Sequence, residues 1–385
     1  MEKDNFRVHI AAVSTNQHAL DFEGNKRRIF RSIEMCKIMG ITYRAGAECE
    51  VSGYSCEDHF KELDTIYHCW EVVAELLSSD LTCGIIVEMN MPVIHRSVCF
   101  NCKVLCLNRK IIAIRPKTEM ADENIYRESR YFIPWRSRKK GEFILEDFDI
   151  PNNVQRHTGQ KTCPFGVALY QCRDASFGLE ICQELWLLND NPGKIAFMNN
   201  ADFVVSCNGS CFVTDKLKHR VDMVINETNR MGGAYIYVNL LGCDGTSLYF
   251  DGGNIIAQNG ELLGLGPYHT LNEIEITEAV LNLQKIRMER HAFTSGQRQV
   301  QEGKRLPVID IDFNLCTKKS FYSRKIEPTY DCASKQQIEV IGSYLWDYLR
   351  KSGRRGFFLP LSGGSDSACV ALCLYWLCEK VYNQI

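Results

Sequence analysis

Apolar positions along the chain follow two rhythms. Short β-branched runs bounded by turn residues predict strands at 8–13, 41–47, 84–89, 98–107 and 111–115. Between them the spacing is helical. Ile29, Ile33 and Cys36 mark a helix over 21–39. A stronger one spans 58–78, with Phe60, Leu63, Ile66, Tyr67, Trp70, Val73 and Leu77 on one face. Further strands are predicted at 166–171, 177–181, 203–206, 234–240 and 247–250, with a helix at 217–230. The turn Asn108-Arg109-Lys110 closes one hairpin. Asn259-Gly260, a dipeptide suited to two successive positive φ angles, closes another.

Strands interleaved with helices and hairpins predict a layered α/β domain with a mixed sheet, spanning residues 1–287. From 288 to 334 the composition turns polar and basic, which predicts a linker packed on the surface. A further unit occupies 335–385: a helix at 336–351, a strand at 356–361, a glycine loop, and a helix from Asp366 onward. One strand and two helices do not complete an α/β domain, so this unit reads as the first part of one, cut off at the C-terminus.

Composition narrows the class. With 45% apolar and 24% charged residues in 385, the chain has the balance of a globular protein able to bury a large core. A net charge of −2 offers no bulk attraction to nucleic acid or acidic lipid. No run of ~18 apolar residues predicts a membrane span. The N-terminus enters the first strand without the pattern of a secretion signal, so a cytoplasmic location is expected. Nineteen cysteines are scattered along strands and helices without metal-ligand spacing. For most of them the expected role is a small buried apolar side chain.

Cys182 differs from the others. It closes the strand at 177–181, on a turn that presents its thiol outward. Amide hydrolysis needs a nucleophile, a base for its proton, and a positive group for the oxyanion. Glu48 and Lys117 also stand at predicted strand ends, where loops gather into sites. Position alone leaves each an ordinary charged residue as readily as a catalytic one.

Three strings add to this: Ala47-Glu48-Cys49-Glu50-Val51-Ser52-Gly53-Tyr54, Arg115-Pro116-Lys117, and Glu180-Ile181-Cys182-Gln183-Glu184-Leu185-Trp186. Together they resemble the Glu-Lys-Cys motifs of the nitrilase superfamily, and within it the glutaminase domain of glutamine-dependent NAD synthetases. Supporting strings run in order from Asp58-His59-Phe60 through Tyr126–Phe132 to Gly242-Cys243-Asp244-Gly245 and Ile256–Gly260. The resemblance implies a nitrilase-like α-β-β-α sandwich. It implies Glu48 as general base, Cys182 as the nucleophile that forms a thioester with glutamine, and Lys117 at the oxyanion. Glu128 would support the site and Tyr126 would line the glutamine pocket. Lys117 is also expected to favour the thiolate. The family pattern has Cys-Glu-Glu-Leu-Trp. Gln183 stands where relatives carry a carboxylate that binds the substrate ammonium. Glu50 and Glu184 are read as solvated or salt-bridged carboxylates.

The loop Ser362-Gly363-Gly364-Ser365-Asp366-Ser367 sits before a helix, where backbone N–H groups can converge on a phosphate. It lacks the Walker A ending. It resembles the Ser-Gly-Gly-x-Asp-Ser loop of ATP-pyrophosphatases, whose domains are Rossmann-like. That implies ATP bound at 362–367, with Asp366 near Mg2+. In the intact family the second domain joins ammonia to deamido-NAD using ATP. Glutamine hydrolysis itself needs no cofactor. The family also implies a homo-oligomer.

The expected function is therefore glutamine-dependent NAD+ synthesis, the work of a ligase, with the synthetase half incomplete. A nitrilase-type amidase acting alone is a second expectation. A third is a non-catalytic homologue that binds other subunits, for instance through the charged stretch 136–140.

Overall fold

The computed structural model describes residues 6–384, apart from 137, 140, 141, 246, 295–297, 299, 301, 302 and 320. Most of the chain forms two sheets packed face to face, because its strands are apolar on both faces. In β1 (Arg7–Thr15), Val8, Ile10 and Ala12 point between the sheets, while Ala11 and Val13 point to the helical layer. The first sheet runs, edge to edge, β18 (Ile274–Asn282), β1, β2 (Tyr43–Gly46), β3 (Ile86–His95), β4 (Val98–Leu107), β5 (Lys110–Pro116), β9 (Thr162–Phe165) and β8 (Glu146–Asp149). The second runs β17 (Glu261–Leu265), β16 (Ile255–Gln258), β13 (Ala234–Asn239), β12 (Phe203–Asn208), β11 (Ser176–Ile181), β10 (Leu169–Cys172) and β19 (Val308–Ile311). Two ribbons stand apart: β6 (Arg138–Lys139) with β7 (Glu142–Phe143), and β14 (Leu241–Cys243) with β15 (Tyr249–Asp251).

Aromatic rings fill the space between the sheets. Phe177 stacks on Tyr170 and Phe203 at centroid distances of 5.1 and 5.4 Å, and Tyr43 meets Phe177 edge-on at 5.2 Å. Helices α1 (Phe22–Met39) and α2 (Leu63–Ser78) cover the outer face of the first sheet, with α3 (Asn152–Thr158) against α2. Helices α4 (Pro192–Met198) and α5 (Lys216–Met231) cover the second. The result is the nitrilase-like α-β-β-α sandwich. The Asn259-Gly260 hairpin forms with φ of +48° and +79°.

Three expectations change, and a fourth falls partly outside the described residues. The helix over 58–78 begins only at Leu63, because residues Glu57–Lys61 make a separate 3₁₀ turn. The stretch 288–334 is more than a surface linker. It opens within helix α6 (Leu283–Ala292) and supplies β19, which pairs in parallel with β10 and closes one edge of the second sheet. The strand expected at 356–361 is irregular backbone, with Phe358 and Leu361 exposed; among the described residues no strand pairs with it. The charged stretch 136–140 is only partly visible, since residues 137 and 140 lie outside those described.

Helices α7 (Ala333–Lys351) and α8 (Ser365–Gln384) pack on each other. Asp347 fastens α7 to the sandwich: its carboxylate accepts from Cys243 N at 2.8 Å and from Asn16 Nδ2 at 3.0 Å. Lys351 Nζ adds a bond to Gln17 O at 2.7 Å. Among the described residues no helix is long and apolar enough to cross a membrane.

Candidate active site

Glu48 lies two residues beyond β2, Lys117 one beyond β5, and Cys182 one beyond β11. β1, β2 and β3 run parallel, as do β5 and β9, and β11 and β12. The three side chains therefore gather at one end of the sandwich. Glu48 and Lys117 extend the first sheet and Cys182 the second, so the carboxylate faces the thiol across the gap between layers. The loop after β2 is held inward by Asn90, whose Nδ2 donates to Gly46 O and Ala47 O, both at 2.9 Å. Cys182 has a φ of +45°, a strained conformation that turns the chain sharply into the 3₁₀ turn Cys182–Trp186.

Lys117 is the centre of the site. Its Nζ donates to Glu48 Oε1 at 2.7 Å and to Glu128 Oε1 and Oε2 at 2.9 and 2.7 Å. An ammonium has three protons, so all three are engaged. Glu48 also accepts from Asn101 Nδ2 at 2.8 Å and Gly209 N at 2.9 Å, and its charge acts on the neighbouring Cys182 thiol. Glu128 also accepts from Tyr54 OH at 2.5 Å and Ala121 N at 2.9 Å. Glu48 and Lys117 are completely buried, and Glu128 and Cys182 nearly so.

Two carboxylates around one ammonium leave one uncompensated negative charge in a dry pocket. Burial pushes Glu48 up to about 7; Lys117 pulls it down and Glu128 pushes it further up. Burial opposes the charge on Lys117, but Glu128, Glu48 and Cys182 outweigh it, and its pKa lies well above the ordinary lysine value. The Cys182 thiol is raised by burial and then by Glu48, more than Lys117 lowers it. The expectation that Lys117 would make a resting thiolate is therefore corrected. At rest Cys182 is held as a thiol.

Tyr126 acts on the site through the backbone. Its hydroxyl donates to Gly209 O at 3.1 Å and accepts from Cys211 N at 2.7 Å, which fixes the loop that caps Glu48. Tyr54, Tyr126 and Glu128 line one side of a cavity of about 330 Å³, with Phe60, Phe132 and Leu248 among its other walls. Gln183 follows the nucleophile and is half-buried. Glu50 and Glu184 are not solvated. Both are fully buried and ion-paired, Glu50 with Arg44 at 2.6 Å and Glu184 with Arg115 at 2.6 Å.

Asn101 and Gly209 escaped the reading of the sequence. A signal existed for Asn101, a polar residue in the otherwise apolar start of β4, Phe100-Asn101-Cys102. Gly209 had none, because its role is an N–H group.

Ser362–Ser367 form a separate turn at the start of α8, exposed except for half-buried Ser367. Gly363 has a φ of +82°, and Gly364 N donates to Ser362 Oγ at 3.3 Å. The turn and the helix start suit a phosphate. A divalent cation finds less: among the described residues no group of three or more His, Cys, Asp or Glu gathers around Asp366 or elsewhere.

A buried Glu–Lys–Cys constellation on a double-layered sandwich defines a class, and the chain belongs to the carbon–nitrogen hydrolase family, which it matches over residues 9–288. Its similarity extends past that domain. It is 39% identical over 382 residues to the glutamine-dependent NAD(+) synthetase of Drosophila melanogaster, covering 98% of this chain and 48% of that one. The chain spans about half the length of the curated relatives it matches. A solved glutamine-dependent NAD+ synthetase from Acinetobacter baumannii, in complex with ADP, superposes with a TM-score of 0.71 at 17% identity, covering 96% of this chain and 57% of that one. An amidase from Nesterenkonia sp. superposes with a TM-score of 0.55 at 14% identity, covering 76% of this chain and 97% of that one.

Proposed function

We propose that the sandwich hydrolyses the side-chain amide of glutamine and supplies the ammonia to glutamine-dependent NAD+ synthesis. The observation that carries this is the buried Glu48–Lys117 ion pair, at 2.7 Å, whose charges both act on the buried Cys182 thiol. Glu48 takes the thiol proton while sulfur attacks the amide carbon. The oxyanion is met by Lys117, which turns one proton away from a carboxylate, and by a backbone N–H beside the nucleophile. Glu48 then hands its proton to the departing nitrogen, leaving ammonia and a thioester. Water, activated by Glu48, releases glutamate. Glu128 holds Lys117 in place, Tyr126 shapes the substrate side, and Gln183 offers the amino-acid end a neutral contact where relatives have a charge.

For the synthetase step, Ser362, Gly363, Gly364, Ser365 and Ser367 would hold ATP phosphates, with Asp366 on the Mg2+ side. ATP would supply the activation of deamido-NAD. The similarity to a synthetase solved with ADP supports this reading. Asp366 alone does not make a metal site, so the cation would depend on further ligands, from the nucleotide or from protein outside this sequence.

The test is glutamate release from glutamine by the purified chain, with and without ATP, Mg2+ and deamido-NAD. Wild-type turnover that disappears in Cys182→Ala supports the proposal. No glutamate from wild type under either condition overturns it. We expect no NAD from this chain alone. The match to 97% of an amidase favours one second reading, an amidase acting alone. Hydrolysis of short aliphatic amides in preference to glutamine would select it.

A further inference from the structure

Glu184 has no part in the steps above, yet it is the most heavily bonded carboxylate near the nucleophile. Oε1 accepts from Thr118 N at 2.5 Å, Thr118 Oγ1 at 2.6 Å and Arg115 Nη1 at 2.7 Å. Oε2 accepts from Ile181 N at 2.7 Å and lies 2.6 Å from Arg115 Nη2. The side chain is fully buried. These donors are not spread at random. Arg115 and Thr118 bracket Lys117, and Ile181 immediately precedes Cys182.

We propose that Glu184 is a positioning residue that sets the distance and orientation between the nucleophile turn and the lysine turn. The inference rests on reading Cys182 as the nucleophile. Its physical basis is the topology. Lys117 extends β5 in the first sheet, and Cys182 extends β11 in the second. No backbone ladder joins those strands, so register cannot fix how far apart their ends lie. Glu184 does so with charge-assisted hydrogen bonds, which are short and directional. The bond to Ile181 N also closes a ring around Cys182: the side chain two residues on grips the backbone one residue before. That ring stabilises the positive φ of Cys182, a conformation that an L-residue adopts only with strain.

Glu184→Gln keeps the shape but cannot keep the bonding. One oxygen becomes an NH2 group that faces existing donors, so the grip opens on either the Thr118 or the Ile181 side. A displacement on the order of 1 Å at a reacting group costs about 100-fold in rate. The experiment compares steady-state glutamine hydrolysis and thermal unfolding for wild type, Glu184→Gln, Glu184→Asp, Thr118→Val and Asp202→Asn. Asp202 serves as the control. It is buried and paired with Arg287 at 2.7 Å, but it precedes β12, at the opposite end of the sandwich from Cys182.

We expect Glu184→Gln to lose about 100-fold in kcat with KM within about threefold. Thr118→Val, which removes one donor from the same oxygen, should lose about tenfold and serves if Glu184→Gln does not fold. Glu184→Asp, which keeps the charge, should recover part of the loss. Asp202→Asn should lower the unfolding midpoint while leaving kcat unchanged. Folded Glu184→Gln with kcat within threefold of wild type overturns the inference. So does an equal loss of kcat in Asp202→Asn. If wild type hydrolyses no glutamine, the functional proposal falls separately. The same comparison is then read in the rate at which iodoacetamide alkylates Cys182, followed by peptide mass. A rate in Glu184→Gln within threefold of wild type again overturns the inference.

Discussion

The charge count of the pocket makes a quantitative prediction about pH. Glu48 is held up to about 7 by burial, so its proton-accepting form appears only as pH rises through that value. Below it, kcat/KM for glutamine should fall about tenfold per pH unit, leaving about a hundredth of the maximum at pH 5. Lys117→Met should move that midpoint. The Lys117–Glu48 contact of 2.7 Å is worth about 6 kcal/mol at an effective dielectric of about 20. The carboxylate's remaining donors, Asn101 and Gly209, and water entering the space left by the ammonium offset part of this. Crediting half, about 3 kcal/mol, raises Glu48 by about two pH units. At pH 7 the variant would hold about 1% of its Glu48 as base, and some reactivity should return toward pH 9. The assay is glutamate release from pH 5 to 10, with the rate of Cys182 alkylation by iodoacetamide as a second readout that survives loss of turnover. A wild-type midpoint below pH 5, near an ordinary glutamate, would refute the reasoning. So would a Lys117→Met profile lowered equally at every pH.

Four further substitutions probe the surroundings. Tyr54→Phe removes the donor 2.5 Å from Glu128 and should cost about 1.5–3 kcal/mol in urea unfolding and about tenfold in kcat; unchanged values would mean that bond does nothing. Gly209→Ala places a Cβ 2.8 Å from the Tyr54 ring, so the ring must shift off Glu128; kcat should fall with little change in the unfolding midpoint, and full activity would count against a tightly built wall. Arg44→Met strands the buried Glu50 carboxylate and should destabilise the fold by about 3–5 kcal/mol, whereas Arg31→Met, which breaks the exposed pair with Glu34, should stay within about 0.5 kcal/mol; equal effects in denaturant melts would contradict the role of burial.

Local pattern carried most of the elements, because strand and helix periods are properties of neighbours in sequence. The run at 98–107 forms β4 end to end, and both hairpin turns fall where their residues place them. Pattern failed where the outcome depended on a distant partner. The run at 356–361 has the residues of a strand and, among the described residues, no strand beside it, so it stays irregular. The run at 308–311 lies inside the polar stretch read as a linker, yet it finds the free edge of β10 and joins the sheet. The site obeys the same division. Strand ends located Glu48, Lys117 and Cys182 as candidates, but only the resemblance to a family selected them, since their contacts span the gap between two sheets.

The carboxylates make the clearest case. Hydropathy gives Glu48, Glu50, Glu128 and Glu184 the same value and predicts solvent for all of them. All four are buried, and each is kept there by a cation brought by the fold: Lys117 for Glu48 and Glu128, Arg44 for Glu50, and Arg115, 69 residues away in sequence, for Glu184. Burial raises both Glu48 and Glu50, and their pairings differ in balance. Arg44 and Glu50 form a one-to-one pair, with each guanidinium nitrogen on one oxygen, at 2.6 and 2.8 Å. Lys117 is shared between two carboxylates, and the shortfall falls on Glu48, raising it toward neutrality beside the thiol. Burial raises Glu48 most and Glu128 adds to it against the pull of Lys117, so a carboxyl near 7 is a property of the assembled pocket that no single string of residues contains.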